Sequence, residues 1–298
     1  MSATTQEPAS PPPAAATPAP ERYREPKQRP RPLLPLFFWL VIGITLVPIA
    51  VMIVYSFNNA PTSRITFHWN GWTTYWYRNL TQVDGLTHAF LVSIEVAVLS
   101  SLISVIIGTP IAMALNRYRF VAKGPINAIV FADIAAPAIV VGAASLSFFL
   151  SINLSTGFLT ILIAHVAFNV AYVVIVVRAR LSGMDQSIED AARDLGAGPV
   201  VTFARVTLPL LWPGLLAGFL LAFAMSIDDY VITSFIAGPT VTFPLFVYGA
   251  AKVGLPPQVL CFGTLIFFVG VIVAVANGLL NRRHLVRRAT TEDEVATA

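Results

Sequence analysis

Charge is scarce in this chain. Asp, Glu, Lys and Arg make up 11% of its 298 residues, against 56% hydrophobic residues and a mean hydropathy of +0.74. A water-soluble domain of this length needs far more charge on its surface, so the composition excludes that class and places the chain in a bilayer. Cysteine is nearly absent as well. Cys261 stands alone, which excludes an internal disulfide and leaves a small buried hydrophobe as its simplest role. No second His or Cys stands at metal-ligand spacing, no nucleophile is accompanied by a base and an orienting acid, and no G-x-x-x-x-G-K-[ST] loop occurs. A metal site, intrinsic catalysis and an ATP-phosphate cradle of that kind are therefore not expected.

What the chain has instead is long apolar runs. Six segments reach the length of about 20 helical residues needed to cross a hydrocarbon layer. They run roughly from Leu33 to Phe57, Leu86 to Leu115, Gly124 to Leu150, Gly157 to Val177, Leu208 to Ala237, and Pro256 to Leu280. Lipid cannot satisfy an open backbone, so each is expected to be a helix, and the fold class is an all-α polytopic membrane protein. Pro35, Pro48, Pro110 and Pro137 are expected to bend or locally unwind their helices.

Orientation follows from the basic residues. With the N-terminus inside, 16 of the 19 Lys and Arg fall on the cytoplasmic side, and Arg64, Arg78 and Lys252 remain outside. Both termini are thus expected in the cytoplasm, and the net charge of +4 reads as a topology signal, with no nucleic acid among the partners. Residues 1–32, rich in Pro and Ala, read as a disordered cytoplasmic tail whose basic end lies against lipid headgroups. The transmembrane domain is expected over 33–281 and a second cytoplasmic tail over 282–298. No cleavable signal is expected ahead of the first helix. Outside, Trp69, Trp72, Tyr75, Trp76 and Tyr77 crowd the segment from Asn58 to Gly85. Such aromatics serve as interfacial anchors, or as a surface for a soluble partner.

Four acidic side chains, Glu95, Asp133, Asp228 and Asp229, lie within the apolar segments without a Lys or Arg beside them. An ionisable group in a bilayer costs several kcal/mol, so such residues mark a path, a site or a partner. Unaccompanied carboxylates point to a positively charged passenger; the alternative is a set of structural carboxylates at subunit contacts. Counting about 1.5 Å per helical residue puts Glu95 roughly 14 Å below the outer end of its helix, with Asp228 and Asp229 at similar depth. These three are expected to share an outer-half cavity, with Asp133 apart in the inner half. Adjacent helical residues point about 100° apart, so one of Asp228 and Asp229 is expected to face the pore and the other to bond to backbone, to Ser226 or to a companion subunit. Tyr230 and Tyr248 are candidates to receive cations and methylenes on their faces, beside the plainer roles of packing and anchoring. His165 is expected to donate an interhelical hydrogen bond.

Between the fourth and fifth segments, over about 183–206, Ile188, Ala191, Ala192 and Leu195 fall at i, i+3, i+4 and i+7 and predict a short amphipathic helix. Asp185 or Ser187 can cap its start, and Gly196 or Gly198 before Pro199 ends it. Its polar face carries Glu189, Asp190 and Asp194 with Arg193. A helix resting on the inner leaflet should be rich in Lys and Arg, so this one fits a protein groove better.

The run Asp190-Ala191-Ala192, then Gly196, Val206 and Leu208-Pro209, resembles the EAA loop of ABC-importer permeases, E-A-A-x3-G-x9-I-x-L-P, with Asp for Glu and Val for Ile. Tyr55-Ser56-Phe57-Asn58, Gly71-Trp72 with Trp76-Tyr77, the run from Leu221 to Asp229, Ser234 to Pro239, and Pro244-Leu245 with Tyr248 and Lys252-Val253-Gly254 resemble the second permease subunit of the spermidine/putrescine type. The likeness covers roughly Phe37 to Asn281. It implies a type I ABC importer permease fold with six transmembrane helices and a cytoplasmic EAA coupling helix, in the plasma (inner) membrane. It further implies a second homologous permease, two ATPase subunits and an external solute-binding protein as partners, with ATP and Mg held by the ATPase and no cofactor on this chain. The passenger would be a polyamine, and Glu189, Asp190, Ala191, Ala192, Leu195 and Gly196 would meet the ATPase. One departure stands out: that group is expected to carry an acid directly after the proline of the third helix, where this chain has Ala138 after Pro137. Asp133 can compensate only if the helix is distorted there. Another small solute, such as an amino acid derivative or opine, is the alternative passenger. A self-contained secondary carrier or cation channel is the alternative machine, although no internal repeat is evident.

Overall fold

The computed structural model describes residues 33–62, 64–66, 68–273 and 275. Both expected tails lie outside them. The described chain falls into two units that part between Pro48 and Ile49, inside helix α1 (Leu33–Tyr55). The first unit is the apolar beginning of that helix, with Leu36, Phe37 and Trp39 exposed.

The second unit is helical, and its described residues hold one isolated β-bridge, between Asn58 and Trp72. After α1 come the short helix α2 (Tyr75–Arg78), a 3-10 turn (Leu80–Gln82) and α3 (Leu86–Arg117). Next are α4 (Lys123–Ala135), α5 (Ala138–Ser151), α6 (Phe158–Ser182) and α7 (Ser187–Asp194). A continuous helical run of 29 residues, Pro199–Ile227, follows. It comprises α8 (Pro199–Thr202), a π-helical turn (Phe203–Thr207) and α9 (Leu208–Ile227). Then come α10 (Val231–Ile236), α11 (Phe243–Val253) and α12 (Gln258–Val273).

Helices α3, α6 and α9 form the centre. The inward face of α3 is made of small side chains, Ser93, Ala97, Ser100, Ser101, Ser104, Gly108 and Ala112, all buried. Small residues let helices approach closely in a membrane, where dispersion and hydrogen bonds take over from the hydrophobic effect. Leu115 of α3, Val173, Val174 and Val177 of α6, and Leu211 and Ala222 of α9 pack together. A second cluster joins Val96, Phe149, Ile161, Phe168, Ile232 and Ile236 from α3, α5, α6 and α10.

Two of the expected continuous spans are broken, and the breaks position the site. Between α4 and α5 the direction changes by 110°. Proline forces its predecessor out of the helical region, and Ala136 accordingly adopts φ −70°, ψ 130°, ending α4 so that α5 starts afresh after Pro137. The segment expected as one helix from Leu208 to Ala237 stops at Ile227 and restarts at Val231 as α10. Here Asp229, not a proline, makes the break: its carboxylate accepts hydrogen bonds from the N–H groups of Ile232 at 3.3 Å and Thr233 at 2.8 Å. A helix start leaves those donors free, so an acceptor aimed at them favours starting a helix there.

The count of six spans is not reached among the described residues. Four helices are long and apolar enough to cross a membrane, or five if the bent α4–α5 pair is one span. α11, a separate helix that the apolar pattern does not announce and that carries Tyr248, is shorter, as is α12.

Candidate functional site

A cavity of about 270 Å³ opens where the two breaks meet, and its wall includes Asp133, Asp228, Asp229, Tyr172 and Tyr230, with no Lys or Arg among the described residues. Each carboxylate owes its place to a helix end. Asp133 sits in the last turn of α4, Asp228 directly follows α9, and Asp229 precedes α10.

This corrects three expectations. Counting along regular helices separates Asp133 in depth from the aspartate pair; the sharp bend at Ala136–Pro137 instead brings it onto the same cavity wall, together with Ala138. On a regular helix Asp228 and Asp229 would point apart. The helix ends before them, and both line the cavity. Glu95 is not on the cavity wall. On α3 the buried face belongs to Ser93, Val96, Ala97 and Ser100, which turns Glu95 outward, where it is exposed.

The two aspartates nevertheless differ. Asp229 is engaged: besides the two backbone donors, its Oδ2 accepts from the Thr233 hydroxyl at 2.7 Å and lies 3.4 Å from His165 Nε2. Asp228 is exposed to the cavity. Behind Asp229 runs a buried polar chain. Ser100 Oγ donates to Ser226 Oγ at 3.1 Å, Ser226 meets His165 Nδ1 at 2.7 Å, and His165 Nε2 meets Thr233 Oγ1 at 2.9 Å. The Thr233 hydroxyl gives its one hydrogen to Asp229, so Thr233 Oγ1 is left to accept from His165 Nε2. The hydrogen bond expected of His165 is thus present, and Ser226 bonds to His165 and Ser100 rather than to either aspartate.

Asp228 and Tyr230 also line a second, apolar cavity of about 470 Å³, with Phe243, Val247, Tyr248 and Ile266. The Tyr230 and Tyr248 rings stand 4.4 Å apart at their centroids. The ammonium of Lys252 lies 4.6 Å from the Tyr248 centroid, so that ring already carries a cation of the chain itself. Of the aromatics expected at the surface, Trp72 is exposed, but Trp76 is buried and donates from Nε1 to the Asn58 carbonyl at 2.8 Å.

The predicted short helix is α7. Asp185 Oδ1 accepts from the Ser187 N–H at 2.9 Å at its start, and that bond holds the Asp185 carboxyl below its ordinary value of 3.8. At its end Gly196 takes φ +85°, a conformation that favours glycine, and donates its N–H to the Arg193 carbonyl. Ile188, Ala191, Asp190, Leu195 and Gly196 are exposed and Ala192 is half-buried. Asp190 pairs only with its neighbour Arg193, at 3.1 Å, among the described residues.

Glu189 departs from expectation. The resemblance groups it with the residues that meet a partner, yet it is 4% exposed and turned into the chain. Its carboxylate forms a two-pronged pair with the Arg117 guanidinium, Oε1 at 2.5 Å from Nη2, and also accepts from Thr207 Oγ1 at 2.7 Å. Burial pushes this carboxyl up, but Arg117 and Thr207 outweigh it and hold it below the ordinary 4.5. Sequence reasoning missed Arg117 and Thr207 here, and Tyr172 on the cavity wall. Arg117 carries only a topology signal in the sequence, and nothing local marks it as the partner of a residue 72 positions away.

Comparison with known proteins shows the family and the fold. The family described as "Binding-protein-dependent transport system inner membrane component" matches residues 104–286. The spermidine/putrescine transport system permease protein PotC of Escherichia coli (strain K12) is 35% identical over 247 residues, 83% of this chain and 92% of that protein. The putrescine transport system permease protein PotI of the same strain is 35% identical over 254 residues, 82% and 89% of the two chains. Among solved structures, a bacterial ABC transporter involved in import of the acidic polysaccharide alginate covers 83% of this chain and 98% of its own, at TM-score 0.60 and 18% identity. The MetNI methionine ABC transporter in an inward-facing form covers 66% and 94%, at TM-score 0.54 and 17% identity, and these two likenesses speak for the fold. The chain therefore belongs to the binding-protein-dependent transport system inner membrane components, the non-catalytic membrane subunits of ABC importers.

Proposed function

We propose that this permease forms one half of the path by which an ATP-driven importer takes in polyamines, organic cations with several ammonium groups joined by methylenes. The observation that carries the reading is a cavity walled by three carboxylates, with no basic side chain among the described residues that line it. Asp228, exposed to the cavity, and Asp133, which shares the wall with Ala138, are the groups that receive ammonium ions, while Asp229 is tied to Thr233 and shapes the wall. Asp133 takes the part of the acid absent at Ala138. Tyr230, shared by the acidic and apolar cavities, offers a face to methylenes. The names of the relatives above, given for spermidine and putrescine transport, support the same cargo.

In this reading the chain pairs with a second homologous permease, draws work from two ATPase subunits that hold ATP and Mg, and receives cargo from an external binding protein. Both termini face the cytoplasm of a cell whose inner membrane holds the complex. The outward stripe of Ile188, Ala191 and Leu195, with Asp190 and Gly196 beside it, seats in a groove of the ATPase. That contact drives rocking only if it fits one conformation better than the other.

The test is uptake into proteoliposomes by the assembled complex, offered putrescine or spermidine against neutral and acidic amino acid derivatives. Uptake confined to the amines supports the proposal, and preference for the amino acid derivatives replaces the cargo. Transport by this chain reconstituted alone would establish a self-contained carrier instead.

A further inference from the structure

Glu189 joins three elements that are separate in sequence. Its carboxylate grips Arg117, the last residue of α3, and receives the hydroxyl of Thr207, the last residue of the π-helical turn that leads into α9. The side chains of Arg117 and Glu189 are 14% and 5% exposed, and Thr207 is buried, so water does not compete strongly for this junction. α7 has only 8 residues, too few to be stable alone. Its neighbours in the fold include α8 and the π-helical turn, both parts of the run that becomes α9. Arg117 adds a direct tie to α3, a helix of 32 residues packed along α6 and α9. Midway along α3, Ser100 donates to Ser226, which bonds the His165 that stands beside Asp229.

We propose that the Arg117–Glu189–Thr207 junction is an internal strut, through which displacement of α7 is passed to α3 and α9 and so to the acidic cavity. Glu189 is then a positioning residue that never touches the ATPase. A two-pronged guanidinium–carboxylate pair suits the task, since it fixes orientation as well as distance. A π-helical turn beside it is a natural place for a helix to change register. The inference rests on the reading that α7 is the helix seated on the ATPase.

The experiment uses the complete complex of permeases, ATPase and binding protein in proteoliposomes, measuring ATP hydrolysis, amine uptake and the amount of ATPase that copurifies. Glu189→Gln and Arg117→Gln should each keep the ATPase bound and lower amine moved per ATP hydrolysed by tenfold or more. The double variant should be no worse than either alone, because both remove one junction. Arg117→Lys, which keeps charge but loses the fork, should fall between. Normal coupling in Glu189→Gln overturns the strut, as does loss of the ATPase in Glu189→Gln with Arg117→Gln unaffected, which would make Glu189 a direct contact. If Glu189→Gln fails to fold, Arg117→Lys with Thr207→Val carries the test, and normal coupling in that pair overturns it. Leu195→Glu separates the underlying reading: if it leaves the ATPase bound and coupled, α7 is not the seat, whatever the strut variants do.

Discussion

Asp229 accepts the backbone N–H of Thr233 at 2.8 Å and the hydroxyl of the same residue at 2.7 Å, which makes this carboxylate the cap of a helix start inside the membrane domain. Its neighbour Asp228 has no such bond to α10 and lies exposed to the cavity. Loss of a cap typically costs about 0.5–2 kcal/mol. Asp229→Ala should therefore lower the thermal unfolding temperature in detergent, whereas Asp228→Asn should leave it unchanged and slow amine uptake. Equal destabilisation by both variants would contradict the division of labour.

Asp133 is expected to act with Asp228, not apart from it, because one cavity contains both. Asp133→Asn should reduce uptake of a diamine at least as much as Asp228→Asn, and the double variant should lose less than the product of the two single effects if both grip one cargo molecule. Uptake kinetics over a range of amine concentrations measure this. A fully normal Asp133→Asn permease would return the residue to a structural role.

What is legible in the sequence, and what is not, follows the range of the interactions. Pro137 announces its own break because the constraint on Ala136 is local. The limits of α7 are readable from Asp185 and Gly196 for the same reason. The break at Asp228–Tyr230 is harder to see although a capping Asp ahead of Val231 is a recognised start signal; the surrounding apolar run hides it. The inward turn of Glu189 is not readable at all. An acid on the polar face of an amphipathic helix looks solvated until a distant arginine is found beside it.

α5 lies so close to α10 that a Cβ on Gly142 would stand 2.7 Å from a ring carbon of Phe235 and 3.2 Å from the Cα of Ile232. The backbone atom cannot yield as a flexible side chain would. Overpacking of this kind typically costs about 1–3 kcal/mol. Gly142→Leu should lower thermal stability by that order and weaken amine uptake, since α10 begins at the cavity wall. Gly249→Leu on α11, where an added Cβ would meet no atom within 4 Å, serves as the contrast and should unfold at the parent temperature.

On the exposed side of α7, Asp190→Lys reverses a charge that only Arg193 balances among the described residues, and Gly196→Pro forbids the φ of +85° that ends the helix. Both should uncouple ATP hydrolysis from uptake while leaving the permease folded. Parallel assays of hydrolysis and transport on the reconstituted complex decide the matter. Retention of both activities in both variants would remove α7 from the coupling path.

The Arg117–Glu189 pair should leave its mark on pH dependence. The folded carboxyl is held below its ordinary value of 4.5, so the unfolded chain binds the proton more readily. The stabilisation is then fully present above about pH 4.5 and is lost as pH falls through the folded value. Glu189→Gln leaves the partly buried Arg117 without its counter-charge, and breaking a fully buried pair from one side costs about 3–5 kcal/mol, which is the upper bound here. The variant should therefore melt lower at neutral pH, and its melting temperature should change less on acidification than that of the parent. Asp185, also held low but exposed, contributes acid sensitivity of the same sign to both proteins, so the difference between the two curves isolates Glu189. Melting curves of the purified permease from about pH 3 to 7 measure it, and parallel acid limbs would show that the pair adds no pH-dependent stability.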